Sequence, residues 1–278
     1  ENAAELAELE ARDGGGTIRK SQLADVPGAQ ASFEWFARMA EERPDTVELE
    51  GSPFPISQNY VRYEPIGVTT GIVPWNFPLI MAAWKIGPVL AAGNSLVLKP
   101  SEKSPLTAIR IAALAVEAGI PEGVFNVVPG FGHTAGKALA SSMDVDCIAF
   151  TGSTATGKRV MEYAAQSNLK RVGLECGGKS PNIVMADCPD LDRAATAAAF
   201  AIFFNQGEMC SAGSRLLVDE SIREDFLERV GAVAKRLSPG DPLDPATQLG
   251  AIVDQGQMQR VLDYVQSGRD EGARLRVG

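Results

Sequence analysis

At 278 residues the chain is too long for a peptide ligand or a disulfide mini-protein, and at roughly 150 residues per domain it holds material for about two domains, each with its own core. Glycine and proline, 28 and 17 residues, stay well below the share at which disorder is the default, so a globular chain is expected. The net charge of −9 repels phosphate backbones and acidic membrane surfaces with no basic patch to offset it, and no apolar run reaches the roughly 18 residues of a membrane span; neither nucleic acid nor bilayer is expected as a partner.

Residues 1–12 alternate Ala and Leu with Glu at helical spacing and stop at Asp13-Gly14-Gly15-Gly16, so the sequence is expected to open inside a helix, with no signal or transit peptide. A second helix is predicted over about 26–42, where Phe33, Trp35, Phe36 and Met39 are too many large apolar groups for a solvated element, and Pro44 ends it. Residues 51–67 read as an extended arm, because Pro53, Pro55 and Pro65 cannot donate to a central ladder. Beyond Gly67, short β-branched runs at 68–73, 95–98, 124–128 and 147–150 alternate with amphipathic stretches, the pattern of a parallel α/β sheet. Ser104-Pro105 is predicted to cap and start the helix that Gly119 closes. Runs at 182–185 and 215–218, with helices at about 191–205, 221–236 and 255–268, form a second α/β set, and the boundary between the two is placed near Gly177-Gly178. The last residues, 273–278, read as the start of a strand.

Scattered cysteines (147, 176, 188 and 210) lack the Cys-X-X-Cys spacing of a zinc site and suit a reducing compartment, which makes the cytoplasm the expected location. His133 is the single histidine and reads as a polar turn residue, so a general base is expected to be a carboxylate and a histidine-rich metal site is excluded.

Several residues carry chemistry. Cys210 follows a long apolar helix in the polar turn Asn205-Gln206-Gly207-Glu208-Met209-Cys210, where inward backbone N–H groups favour a thiolate; an ordinary buried thiol is the alternative, and the one that fits Cys147 and Cys188. Glu175 ends an apolar strand before two glycines, where partial desolvation would raise it toward a general base's range; a solvated strand-end charge is the alternative. Asn76, between Pro74-Trp75 and Phe77-Pro78, reads as an aimed oxyanion donor or as an Asx turn. Lys99, Ser101 and Glu102 lie past a strand's carboxyl end, where they could hold a ribose or form a surface pair. Gly152-Ser153-Thr154-Ala155-Thr156-Gly157, read as a loop before a helix starting near Gly157, and the glycines 130, 132 and 136 could let backbone N–H groups approach a pyrophosphate.

Taken together, Pro74-Trp75-Asn76-Phe77-Pro78, Lys99-Pro100-Ser101-Glu102, Phe150-Thr151-Gly152-Ser153-Thr154, Leu174-Glu175-Cys176-Gly177-Gly178-Lys179 and Gln206-Gly207-Glu208-Met209-Cys210 resemble, in order and approximate spacing, the aldehyde dehydrogenase superfamily. The resemblance implies an α/β fold: helices over 1–50 belonging to a nucleotide-binding domain, an oligomerisation arm at 51–67, the dinucleotide-binding sheet over 68–176 and an incomplete catalytic domain over 177–278. It implies an NAD-dependent oxidoreductase that turns an aldehyde into an acid, with Cys210 as nucleophile, Glu175 as general base, and Asn76 with the Cys210 N–H as oxyanion hole. Lys99 and Glu102 would sit at the adenosine ribose. Pro74, Trp75, Ser101, Gly132, Gly136, Phe150, Thr151, Gly152, Ser153, Thr156, Cys176 and Gly177 would line the rest of the cofactor cleft, and Phe77, Met81, Trp84 and Met209 an apolar substrate tunnel. Glu102 as a ribose acceptor favours NAD over NADP, with dual use left open.

Family members are longer at both ends, so the chain is expected to be a fragment, and the arm implies a homo-oligomer. Residues 94–110, 130–136 and 239–251 are similar to bacterial enzymes acting on γ-glutamyl-γ-aminobutyraldehyde and other ω-amino aldehydes of polyamine catabolism. Two other classes share parts of the pattern. A cysteine hydrolase or acyltransferase would want a histidine partner and no nucleotide cleft, and a non-catalytic relative would be expected to lack Cys210 or Glu175.

Overall fold

The structure, a computed structural model, describes residues 1–49 and 59–277. Helix α1 (Ala3–Gly14) stops where Gly15 turns left-handed at φ +77° and sends its N–H to the Ala11 carbonyl. Thr17 Oγ1 then accepts the Lys20 N–H and starts a continuous run of α2 (Ile18–Lys20), a π turn over Ser21–Asp25 and α3 (Val26–Glu42). Strands β1 (Thr46–Glu48) and β2 (Tyr60–Arg62) form an antiparallel hairpin with Thr46 opposite Arg62. Next come β3 (Val68–Ile72), α4 (Pro78–Ala91), β4 (Ser95–Lys99), α5 (Leu106–Glu117), β5 (Phe125–Val127), a second π turn over Gly132–Gly136, α6 (Lys137–Ser141), β6 (Cys147–Gly152), α7 (Thr154–Ala165) and β7 (Arg171–Cys176). The remainder holds β8 (Pro181–Val184), α8 (Leu191–Phe203), β9 (Arg215–Val218), α9 (Arg223–Ala234) and α10 (Gln255–Asp270).

The chain divides into two compact units, one made of residues 1–26, 75–77 and 176–278, the other of 27–74 and 78–175. In the second unit five strands lie in the order β5-β4-β3-β6-β7. The ladders of β3 with β4, β3 with β6 and β4 with β5 are parallel, as the alternating pattern predicts, with Ile72 opposite both Lys99 and Phe150. From β3 the chain builds outward through β4 and β5, then returns to β6 on the other side, so the strand order reverses beside β3. Ligands of open α/β sheets collect at such a reversal, beyond the carboxyl ends of the strands. Ile148, Phe150, Val160 and Ala140 bury one layer against α7, with Ile72, Val172 and Leu174 packed around them.

The first unit has its own core. Phe226 of α9 is fully buried with Val184, Ala195 and Ala198, beneath the parallel pair β8 and β9. Helix α1 belongs to this unit, whereas the sequence assigns residues 1–50 to the nucleotide-binding domain. The reason is local: the Ile18 N–H donates to the Pro242 carbonyl at 2.7 Å, the Ala251 N–H donates to Gly15 O at 2.8 Å, and Ala7, Ala11 and Ile18 pack with Val26 and Leu243.

Other expectations shift as well. Helix α3 has the predicted bounds, yet Trp35 and Met39 are 57% and 42% exposed, because the helix packs by one side only; Phe36 lies so close to Gly87 that a Cβ there would sit 2.6 Å from its ring. Pro105, rather than Ser104, takes the N-cap position of α5, its carbonyl receiving the Ile109 N–H, while Gly119 closes the helix at φ +92° as expected. Residues 273–277 pair with no strand among the described residues; instead Arg276 grips the Glu224 carboxylate at 2.9 and 3.1 Å. Of the expected arm, residues 51–58 lie outside the described residues, and 60–62 form β2. Among the described residues no helix is long and apolar enough to cross a membrane, and no cluster of His, Cys, Asp and Glu could hold a metal ion.

Candidate active site

Helix α8 is built from alanines and phenylalanines and runs out at Phe203, two residues short of the predicted end. The chain then enters an arch in which Asn205, Gln206 and Gly207 all have positive φ, at 52°, 58° and 79°. Asparagine and glycine tolerate this region and glutamine does not readily, so the arch must be held from outside. It is held by amides. Asn205, 6% exposed, donates from Nδ2 to the Asn76 carbonyl at 2.9 Å. Gln206 Oε1 accepts the Gly250 N–H at 3.1 Å, and its Nε2 reaches the Ala251 carbonyl at 3.4 Å. The arch delivers Cys210 to an exposed turn, the environment its sequence predicts, and there the Cys210 carbonyl accepts the Gly178 N–H at 3.4 Å.

Asn76 answers Asn205. Its Nδ2 donates to the Glu208 carbonyl at 2.5 Å, two residues before Cys210, so the nitrogen end of this amide must face the cysteine turn. Among the described residues neither its second N–H nor the Cys210 backbone N–H has an acceptor. Donors of this kind can hydrogen-bond an oxyanion. Phe77 is buried, stacks on Phe204 with ring centroids 6.3 Å apart, and carries the Lys20 ammonium 4.3 Å over its face. Lys20 pairs in turn with the fully buried Asp25 at 2.8 Å. Burial holds the Asp25 carboxyl above its usual range, against the pull of Lys20. Neither Asn205, Gln206 nor the Lys20–Asp25 pair is singled out in the sequence.

The second unit gathers the other candidates along the carboxyl edge of its sheet. Pro74 follows β3, Lys99, Ser101 and Glu102 end and follow β4, the π turn with Gly132 and Gly136 follows β5, Phe150, Thr151 and Gly152 end β6, and Glu175 is the last but one residue of β7. Lys99 is buried; its ammonium donates to the Pro100 carbonyl at 2.6 Å and lies 3.7 Å from the half-exposed Glu102 carboxylate. Burial pulls the Lys99 ammonium below its usual value while Glu102 opposes that shift. Gly136 lies beside Lys99, whose Cδ would be 3.7 Å from a Cβ at that position.

Around Gly157 the chain is helical, where the sequence predicts a loop up to a helix starting near Gly157. Helix α7 starts at Thr154 and buries Gly157 within it, because Ser153 is already the cap: its Oγ accepts the Thr156 N–H at 3.2 Å and lies 2.9 Å from Thr156 Oγ1. What stands beyond β6 is therefore a capped helix N-terminus with Gly152 before it. His133 is exposed in the π turn and stacks on Phe131 at 5.6 Å, in keeping with a turn role.

Glu175 is exposed, where its sequence context predicts partial burial. Its neighbour is Lys85 of α4, unremarked in the sequence: burial lowers the Lys85 ammonium and the Glu175 charge opposes that shift. Met81 is buried on α4 while Trp84 on the same helix is 54% exposed, and Met209 is half-buried beside Cys210. Cys176 and Gly177 are exposed. Burial raises the Cys147 thiol, and Cys188 donates weakly to the Asp190 carbonyl at 3.7 Å, as suits inert thiols.

Comparison with known proteins gives a consistent picture. The model of the aldehyde dehydrogenase family matches residues 1–278. The chain is 51% identical over 277 residues to the NADP/NAD-dependent aldehyde dehydrogenase PuuC of Escherichia coli, covering 100% of this chain and 55% of that protein. It is 48% identical over 278 residues to an aminoacetaldehyde dehydrogenase of Pseudomonas aeruginosa, again covering 100% of this chain and 55% of the relative. Among solved structures, an indole-3-acetaldehyde dehydrogenase complexed with NAD+ superposes at a TM-score of 0.96 with 56% identity over 100% of this chain and 55% of that one. A gamma-glutamyl-gamma-aminobutyraldehyde dehydrogenase from Burkholderia cenocepacia does so at 0.92 with 58% identity over 97% of this chain and 54% of its own. The chain thus spans about half the length of the curated relatives it matches.

Proposed function

The chain belongs to the aldehyde dehydrogenase family, and from that premise we propose that the full-length protein oxidises an aldehyde to a carboxylic acid with NAD as acceptor. The observation that carries this reading is the bond from Asn76 Nδ2 to the Glu208 carbonyl, which sets an amide donor beside the Cys210 turn. In this proposal the Cys210 thiolate attacks the aldehyde carbon, and the oxyanion that forms takes hydrogen bonds from Asn76 Nδ2 and the Cys210 N–H. When bound, the dinucleotide supplies a hydride acceptor. Glu175 then takes a proton from a water that attacks the Cys210 thioester, the acid leaves, and the thiol is restored.

The residues present suit a dinucleotide. The capped N-terminus of α7 offers backbone N–H groups to a pyrophosphate, and Lys99 with the half-exposed Glu102 offers a donor and an acceptor to a ribose. A carboxylate at the ribose disfavours a 2′-phosphate, which supports NAD over NADP. Pro74, Trp75, Ser101, Gly132, Gly136, Thr151, Gly152, Thr156, Cys176 and Gly177 would complete the cleft. For substrate, the named relatives support an ω-amino or γ-glutamylamino aldehyde. The exposed Val47, Leu49, Tyr60, Val61 and Tyr63 of the β1–β2 hairpin support a homo-oligomer, and four free cysteines support a reducing, cytoplasmic setting.

The test is NADH formation by the full-length protein with ω-amino and simple aliphatic aldehydes, repeated with Cys210→Ala. Activity that depends on Cys210 and favours the amino aldehydes is expected. Dehydrogenase activity retained in Cys210→Ala defeats the mechanism, and faster turnover of the aliphatic series defeats the substrate assignment.

A further inference from the structure

The arch that precedes Cys210 is costly backbone, since three consecutive left-handed residues include a glutamine, and such strain persists only where the surroundings over-determine it. Here they do so through a reciprocal clamp. The Asn205 side chain binds the Asn76 main chain, donating to its carbonyl at 2.9 Å, while the Asn76 side chain binds the arch's own exit, donating to the Glu208 carbonyl at 2.5 Å. Asn205 thus fixes the Asn76 backbone and Asn76 fixes the Glu208 carbonyl at the arch's exit, each across more than a hundred positions of sequence.

The space around Asn205 is full. It is 6% exposed, Gly16 packs so closely that a Cβ there would lie 3.3 Å from Asn205 Oδ1, and that oxygen also faces Gln206 Nε2 at 3.5 Å. The amide cannot turn over without setting two oxygens against one another, because its partner, the Asn76 carbonyl, only accepts. From Asn205 the constraint passes to the peptide of Asn76, then to the Asn76 side chain, whose second N–H takes whatever direction the first one leaves it.

We propose that Asn205 is a positioning residue: by holding the Asn76 carbonyl it aims the Asn76 amide at the oxygen that becomes charged when Cys210 adds to an aldehyde. The inference rests on the reading of Cys210 and Asn76 given above and goes beyond it in naming what aims the donor. Asn205 touches neither substrate nor sulfur in this scheme. Its contribution is direction, and a donor aimed before the reaction stabilises developing charge without reorganising.

Two substitutions separate the side chain from the backbone. Asn205→Gly keeps the left-handed conformation at no steric cost and deletes the amide; Asn205→Asp keeps the size and the αL tolerance and deletes the donor. In the full-length protein each is expected to lower kcat and kcat/KM for aldehyde oxidation together, by about tenfold to thirtyfold, less than the roughly 10²–10³ of removing an oxyanion donor outright. The aldehyde KM should hold within about twofold, the mark of an interaction made in the transition state alone. Alkylation of Cys210 by iodoacetamide builds no oxyanion, so its rate should match the wild type. On an Asn76→Ala background, Asn205→Gly should cost little more, since the donor it aims is gone.

Asn205→Gly with wild-type turnover overturns the proposal, and so does slowed alkylation in both variants, which would show a collapsed turn rather than a misdirected donor. A full additional loss on the Asn76→Ala background overturns it too while leaving the dehydrogenase reading intact. Unchanged turnover in Asn76→Ala alone would bring down that reading itself.

Discussion

The Cys210 turn and the carboxyl edge of the five-stranded sheet both present polar groups past the end of an apolar element, and they are built on opposite principles. At the sheet edge the bonds are local: Ser153 caps its own helix at Thr156, and Lys99 reaches the next carbonyl and a carboxylate three residues on. At the cysteine turn they are distant, with Asn76 and Asn205 bonded across 132 and 129 positions. A local device survives whatever surrounds it, whereas a distant one exists only when the whole unit has folded. The Cys210 turn is therefore coupled to the folding of its whole unit, and the groups at the sheet edge much less so.

Breaking the distant support should have the largest consequence. Lys20 and Asp25 lie 5% and 0% exposed beneath Phe77, the residue after Asn76. Asp25→Leu leaves the ammonium buried without its counter-charge and should cost about 3–5 kcal/mol in denaturant unfolding of the full-length protein, while Lys20→Met with Asp25→Leu should come back to near neutral. Equal losses in the single and double variants would mean that shape, and not charge, matters there. The next effect is kinetic. Asn76→Ala should lower kcat by about 10²–10³, since in the proposed mechanism it removes one oxyanion donor. A change confined to KM would reassign Asn76 to ground-state binding.

The same division explains what could be read in the sequence. The parallel strands, the bounds of α3 and the position of Cys210 in a turn follow from β-branched runs, helical spacing and glycines, all of which act over a few residues. The clamp does not, because nothing near Asn205 says that its partner lies at Asn76; the sole local trace is the tripeptide Asn205-Gln206-Gly207, whose first and last members tolerate positive φ. The Lys20–Asp25 pair is hidden for a related reason. A spacing of five residues falls off a 3.6-residue helical face, and only the π turn over Ser21–Asp25 brings the two together. The packing of residues 1–26 is hidden as well, because their partners, Pro242, Leu243 and Ala251, are remote in sequence.

On the local side the expected effect is smaller. Ser153→Ala removes one cap bond at the start of α7 and should cost about 1 kcal/mol, read as a lower midpoint in thermal unfolding. The rate of Cys210 alkylation should stay put, since no bond in the cysteine turn depends on that cap. A parallel fall in both would show the two regions to be coupled and would dissolve the contrast between them.

The smallest effect concerns the charge at the end of β7. Lys85 is pulled below its usual value by burial, and the Glu175 carboxylate is the charge that opposes this. Replacing Glu175 with glutamine removes the opposition, so Lys85 should titrate lower still, as followed by the NMR shift of its Cε with pH. The stability should follow with a definite sign. A lysine whose folded value is depressed binds its proton more tightly when unfolded, so unfolding free energy rises as pH climbs from the folded value toward the unfolded one near 10.5, and that rising window should widen in Glu175→Gln. A Lys85 titration that ignores the substitution would mean that the carboxylate spends its time facing elsewhere.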